Sequence, residues 1–193
     1  MSAGGNAEGS VAVANNVVVA FGSNQGDREA ILSAAVGDVS AIVGVKVTAV
    51  SGLVESFAVK LGGVDESAPG YLNGVLTART SLAPEQLLDE LQRIELEHGR
   101  VRLERWGDRT IDLDLIAVTD ADGRPVQQTS ERLTLPHPRA WQRAFVLAPW
   151  VQLEPQAELS GRGPIAELLE PIADSAWDYP SDAFPSPDEG QPQ

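Results

Sequence analysis

Asp112 and Asp114 lie two apart at the end of R-V-R-L-E-R-W-G-D-R-T-I-D-L-D, the stretch running from Arg100 to Asp114. Extended backbone sends successive side chains to opposite faces. The two carboxylates therefore share one face, while Ile111, Leu113 and Leu115 take the other. Carboxylates so placed repel each other unless a cation lies between them or one keeps its proton. A hard divalent cation, usually Mg2+, removes the conflict, and Mg2+ is held by one or two carboxylates together with substrate phosphates. Four arginines, Arg100, Arg102, Arg105 and Arg109, immediately precede the pair. Guanidinium forks bind phosphate oxygens through paired N–H donors and do not lose their charge. Alone, Asp-x-Asp is the ordinary solvent face of a strand. With four arginines and Trp106 in the same window, it points to phosphoryl-type transfer.

The surrounding elements must present that strand. Val17 to Phe21, V-V-V-A-F, is an uninterrupted apolar run and reads as a buried strand. G-S-N-Q-G-D follows it, with Asp27 or Asn24 available to cap a helix whose apolar positions run from Ala30 to Ile42. Val45 to Glu55 reads as a second strand, 56–70 as a loop carrying Gly62, Gly63 and Pro69, and Tyr71 to Thr80 as a third strand. Leu82 to Gly99 is the clearest helix, with Ser81 as cap, Pro84 and Glu85 in its first turn and Gly99 as its stop. Leu87, Leu88, Leu91 and Ile94 form its apolar stripe, and Gln92 and Glu95 share a neighbouring face. Further helical stretches are expected at 139–150 and 164–172. Strands and helices interleave without regular βαβ spacing, which predicts an α+β domain with a mainly antiparallel sheet.

The 193 residues suffice for one well-buried domain. We expect a leader over 1–15, a domain over 16–175 and a disordered, acidic, Pro-rich tail over 176–193. No cysteine is present, which excludes thiolate metal sites. The N-terminus has neither the basic start nor the apolar core of a secretory signal, and no apolar run reaches membrane length, so a cytoplasmic protein without membrane contact is expected. The net charge of −14 argues against nucleic acid as a partner. Nine of the 14 basic residues fall between Arg93 and Arg143, so the acidic chain concentrates arginine in one region, as binding of a compact anion requires. No G-x-x-x-x-G-K-[ST] motif occurs, so ATP would be held by side chains rather than by a P-loop.

R-W-G-D-R-T-I-D-L-D-L-I closely resembles the signature of the 6-hydroxymethyl-7,8-dihydropterin pyrophosphokinase family of folate biosynthesis. V-A-F-G-S-N, Y-L-N-G-V and L-T-L-P-H-P-R-A-W-Q-R-A-F-V-L-A-P agree with it in order and spacing. The resemblance covers most of residues 16–172. It implies a ferredoxin-like α+β fold, two Mg2+ ions, ATP as co-substrate and a reduced pterin as acceptor. Separately from the resemblance, a monomer is expected. Carried over by motif, Asp112 and Asp114 bridge the metals, while Arg100 and Arg109 neutralise the transferring group. Gln92, Glu95, Arg102, Arg105, Trp106, Arg132, His137 and Arg143 line the nucleotide. Gly22, Ser56, Val59, Tyr71, Asn73 and Phe145 surround the pterin. The chain departs from the family at Asp108, where proline is usual. V-E-S-F-A-V-K-L-G-G likewise replaces a segment close to Y-x-T-x-P-x-G. A catalytically degenerate pterin- or nucleotide-binding module is the rival this altered segment motivates. An RNA-binding ferredoxin-like domain is disfavoured by the acidic charge.

Overall fold

The computed structural model describes residues 14–60, 63–65, 70–99 and 110–185. In chain order these form β1 (Asn15–Ser23), α1 (Arg28–Ala41), β2 (Val45–Val50), β3 (Leu53–Ser56), β4 (Ala58–Lys60), β5 (Gly63–Asp65), β6 (Tyr71–Thr80), α2 (Pro84–Glu97) and β7 (Asp112–Thr119). There follow β8 (Gln128–Thr129), β9 (Thr134–Leu135), a 3-10 turn (Ala140–Gln142), α3 (Ala144–Leu153), β10 (Glu158–Leu159), β11 (Gly163–Pro164), α4 (Ile165–Leu169), a second 3-10 turn (Glu170–Ser175) and β12 (Ala176–Tyr179).

The main sheet runs β12-β3-β6-β1-β7, with β2 also pairing β6, and every pairing in it is antiparallel. Taking β2 and β3 as one interrupted strand, β1-α1-β2/β3-β6-α2-β7 is the ferredoxin-like order. The expected strand over 45–55 is thus broken at Ser51 and Gly52. Ser51 exchanges backbone hydrogen bonds of this break with Val75, its N–H reaching the Val75 carbonyl and its Oγ accepting the Val75 N–H, both at 2.9 Å.

The apolar run of β1 is continuous because both faces of the sheet are covered. Val17, Val19 and Phe21 enter a core shared with α1 and α2, while Val18 and Ala20 enter a second core under α3 and α4. Phe21 lies opposite Gly74 on β6, and a Cβ there would come within 2.4 Å of its ring, so Gly74 makes room for the aromatic. Asp27 caps α1 by accepting the Ala30 N–H at 3.2 Å. At α2 the cap position falls on Ala83 rather than Ser81. Pro84 lacks an N–H and suits the first helical position, and the Gln86 side chain reaches back to the Ala83 N–H at 3.0 Å.

Residues 176–179, expected to belong to a tail, instead add a strand to the sheet, and Phe184 beyond them packs into the core. β12 pairs with β3 along Ala176↔Ser56 to Tyr179↔Leu53, and Phe184 is buried beside Phe21 with ring centroids 5.8 Å apart. Pro and acid content signalled disorder, but one buried aromatic and four paired residues outweigh it. No described helix is long and apolar enough to cross a membrane.

Candidate active site

β7 carries the carboxylates where the sheet meets α3. Gly22 lies opposite Asp112, Phe21 opposite Leu113 and Ala20 opposite Asp114. Ile111, Leu113 and Leu115 are buried under α1 and α2, so the aspartates emerge on the α3 side, as the strand period requires. The strand is held from beneath by Glu95 on α2, which is 3% exposed and accepts the Leu113 N–H at 2.8 Å. A buried carboxylate needs such donors, because desolvation without them is costly. From above, Arg143 Nη1 donates to Asp114 Oδ2 at 2.8 Å, with the two side chains 23% and 33% exposed. The same guanidinium lies over the Phe145 ring, 5.6 Å from its centroid.

Two cavities meet at this pair, and Asp112 and Asp114 line both. The first, about 420 Å³, is walled by Gly22, Ser56, Tyr71, Asn73, Phe145 and Arg143. Asn73 is buried and donates through Nδ2 to Ser56 Oγ at 3.1 Å and to the Tyr71 carbonyl at 3.2 Å. Its Oδ1 lies so close to Gly22 that a Cβ there would stand 2.7 Å away, so this position must be glycine for the amide to sit as it does. Aromatic walls with one fixed amide suit a flat, hydrogen-bonding heterocycle.

The second cavity, about 330 Å³, is polar: Gln92, Glu95, Arg132 and His137 line it with the two aspartates. Its outer wall is the β8–β9 hairpin, fastened to the first turn of α2 by Gln128 and Ser130, which donate to Glu85 at 2.8 and 3.1 Å. Arg132 makes an ion pair with Asp89 on α2. Burial lowers the His137 imidazole below its usual 6.5, and Arg143 and Arg139 lower it further against the opposing pull of Asp114 and Asp112. His137 Nδ1 accepts the Arg139 N–H at 3.2 Å, so the neutral ring carries its proton on Nε2.

Of the residues expected around the pterin, Gly22, Ser56, Tyr71, Asn73 and Phe145 line the first cavity, while Gln92, Glu95, Arg132 and His137 line the second. Arg143, grouped with the nucleotide residues by motif, stands in the first cavity against Asp114. Val59 is on β4, its backbone paired with Val64. Arg100, Arg102, Arg105, Trp106 and Arg109, with Asp108, lie outside the described residues. Phe57, Arg139 and Gln142 also line the first cavity and were missed. The last two stand inside the quoted P-H-P-R-A-W-Q-R string, which was the available signal. Phe57 sits in the segment that departs from the family, where motif matching is blind.

Fold and site together define a ferredoxin-like α+β protein in which two cavities open on one carboxylate pair. The chain belongs to the 7,8-dihydro-6-hydroxymethylpterin-pyrophosphokinase (HPPK) family, whose family model matches residues 18–155. It is 41% identical over 145 residues to the 2-amino-4-hydroxy-6-hydroxymethyldihydropteridine pyrophosphokinase of Bacillus subtilis, covering 75% of this chain and 81% of that protein. With the Haemophilus influenzae protein of the same name it shares 44% identity over 109 residues, 56% of this chain and 65% of that one. The match to the Synechocystis protein of that name, 49% identical over 87 residues, spans 45% of this chain and 42% of its own length. Among solved structures, an HPPK-DHPS chain described in complex with substrates superposes with a TM-score of 0.60 at 14% identity. That match covers 83% of this chain and 44% of the other, and it supports the fold.

Proposed function

We propose that this chain transfers the pyrophosphoryl group of ATP to the hydroxymethyl group of 7,8-dihydro-6-hydroxymethylpterin, releasing AMP. The observation that carries the reading is the shared carboxylate pair. A cavity suited to a flat heterocycle and a polar cavity lined by Gln92, Arg132 and His137 open on the same two side chains, Asp112 and Asp114. In-line transfer needs acceptor oxygen and phosphorus brought together at a single point, and holding them there supplies much of the rate. The pterin occupies the first cavity, its ring against Tyr71 and Phe145 and its polar edge toward Asn73. The triphosphate enters from the second, where Arg132 offers charge and His137 a neutral N–H donor.

Two carboxylates on one strand face, opening toward a phosphate cavity, are a donor set that fits Mg2+. When bound there, the metal supplies charge neutralisation for the phosphates and the attacking oxygen. Arg143 restrains Asp114 until substrates arrive, and Glu95 keeps β7 in register beneath both aspartates. Arg100 and Arg109 carry, by motif, the neutralisation of the transferring group.

The test is AMP release from Mg-ATP with and without the pterin. AMP formed only when the pterin is present, in step with pyrophosphorylated pterin, supports the reading. ATP binding with no AMP in either condition would make the chain a degenerate binding module instead.

A further inference from the structure

Phe57 and Trp177 are large apolar side chains left substantially exposed, at 41% and 39%, and they touch. Their ring centroids are 4.8 Å apart with the planes inclined at 62°, an edge-on contact. Phe57 directly follows the last residue of β3 and lines the first cavity, beside Tyr71 and Phe145. Trp177 comes from the other end of the chain, on the strand that pairs Ala176 with Ser56 and Trp177 with Glu55. A phenylalanine just beyond a strand end has several staggered positions open to it. An edge contact from a neighbouring indole selects among them, since aromatic pairs favour this geometry.

We propose that Trp177 is a positioning residue for the pterin ring, holding Phe57 as the outer aromatic wall of the first cavity. The inference rests on the assignment of that cavity to the pterin. It makes the C-terminal strand part of the substrate site, although none of its residues lines the cavity. β12 does not depend on Trp177 for its place. Its backbone pairs with β3, Tyr179 donates to Glu29 at 3.1 Å, Ser181 donates to Glu29 at 2.6 Å, and Phe184 is buried in the core.

The experiment is steady-state AMP release by the full chain, with KM for pterin and for ATP measured separately, alongside thermal melting. Trp177→Ala is expected to raise the pterin KM about three- to tenfold, the range of one aromatic pair, with kcat and the ATP KM within about twofold. Trp177→Phe restores most of the loss. In a Phe57→Ala background, Trp177→Ala adds nothing, because its partner is gone. Should Trp177→Ala melt below the assay temperature, Trp177→Leu replaces it in the same cycle. An unchanged pterin KM, equal rises in both KM values, or a full Trp177 effect without Phe57 each overturns the inference while wild-type turnover leaves the pterin assignment standing. A wild-type chain that releases no AMP overturns both.

Discussion

Asp114 has two relations at once: it accepts Arg143 Nη1 at 2.8 Å, and its carboxylate borders both cavities. Asp114→Asn keeps the shape and removes the charge. It is expected to lower AMP release on the order of a hundredfold or more, the scale of losing one electrostatic contact to the reacting group. Because the ion pair is partly exposed, its loss costs at most about 1 kcal/mol, and the melting temperature moves by only a few degrees. Near-normal turnover in this variant would remove Asp114 from the machinery. His137 gives a pH dependence. Burial lowers its folded-state pKa below 6.5, so the stability it permits is complete above 6.5 and is lost as pH falls through the lowered value. Proton NMR of the ligand-free protein is expected to show one imidazole titrating below its ordinary value, absent in His137→Asn. A midpoint at or above 6.5 would contradict the burial argument.

At the scale of elements, α2 and β7 are joined through Glu95, whose side chain accepts the Leu113 N–H on the edge of β7 that no described strand pairs. Glu95→Ala leaves that buried donor unsatisfied and is expected to cost about 1–3 kcal/mol in urea unfolding, with Glu95→Gln losing less because it keeps an acceptor. Equal stability of wild type and Glu95→Ala would mean that β7 is held without Glu95, by its pairing with β1 and by the bonds that Val126 and His137 donate to Val118 and Ile116. The 3.6-residue period placed Gln92 and Glu95 together on a face beside the apolar stripe. It did not show that Glu95 is buried, because that depends on β7 crossing the helix.

For the whole molecule, the C-terminal segment closes the sheet and the core together. Phe184, 6% exposed, packs on Phe21, whose strand also carries Gly22 and borders the first cavity. Phe184→Ala is expected to destabilise by about 3 kcal/mol, lowering the melting temperature by about 6–12 °C. A shift within 1–2 °C, about the effect of a surface substitution, would return this segment to the status of a tail. Its place in the fold was not legible in Y-P-S-D-A-F-P, since proline and acid content describe local preference, whereas Phe184 is held by a residue at the start of the chain.

The sequence by itself determined the common face of Asp112 and Asp114, the strand of Val17 to Phe21, the long third strand and the helix after Pro84. These follow from periods of two and 3.6 residues and from the fitness of proline for a first helical turn, all local to a few peptide units. Its motif strings also carried the family. Tertiary structure alone decided that the aspartates stand between two cavities, that Arg143 faces Asp114 across 29 residues of sequence and that Tyr179 reaches Glu29 across 150. Such contacts depend on how the sheet's two faces are covered, and no local period encodes which distant side chain will fill a given space.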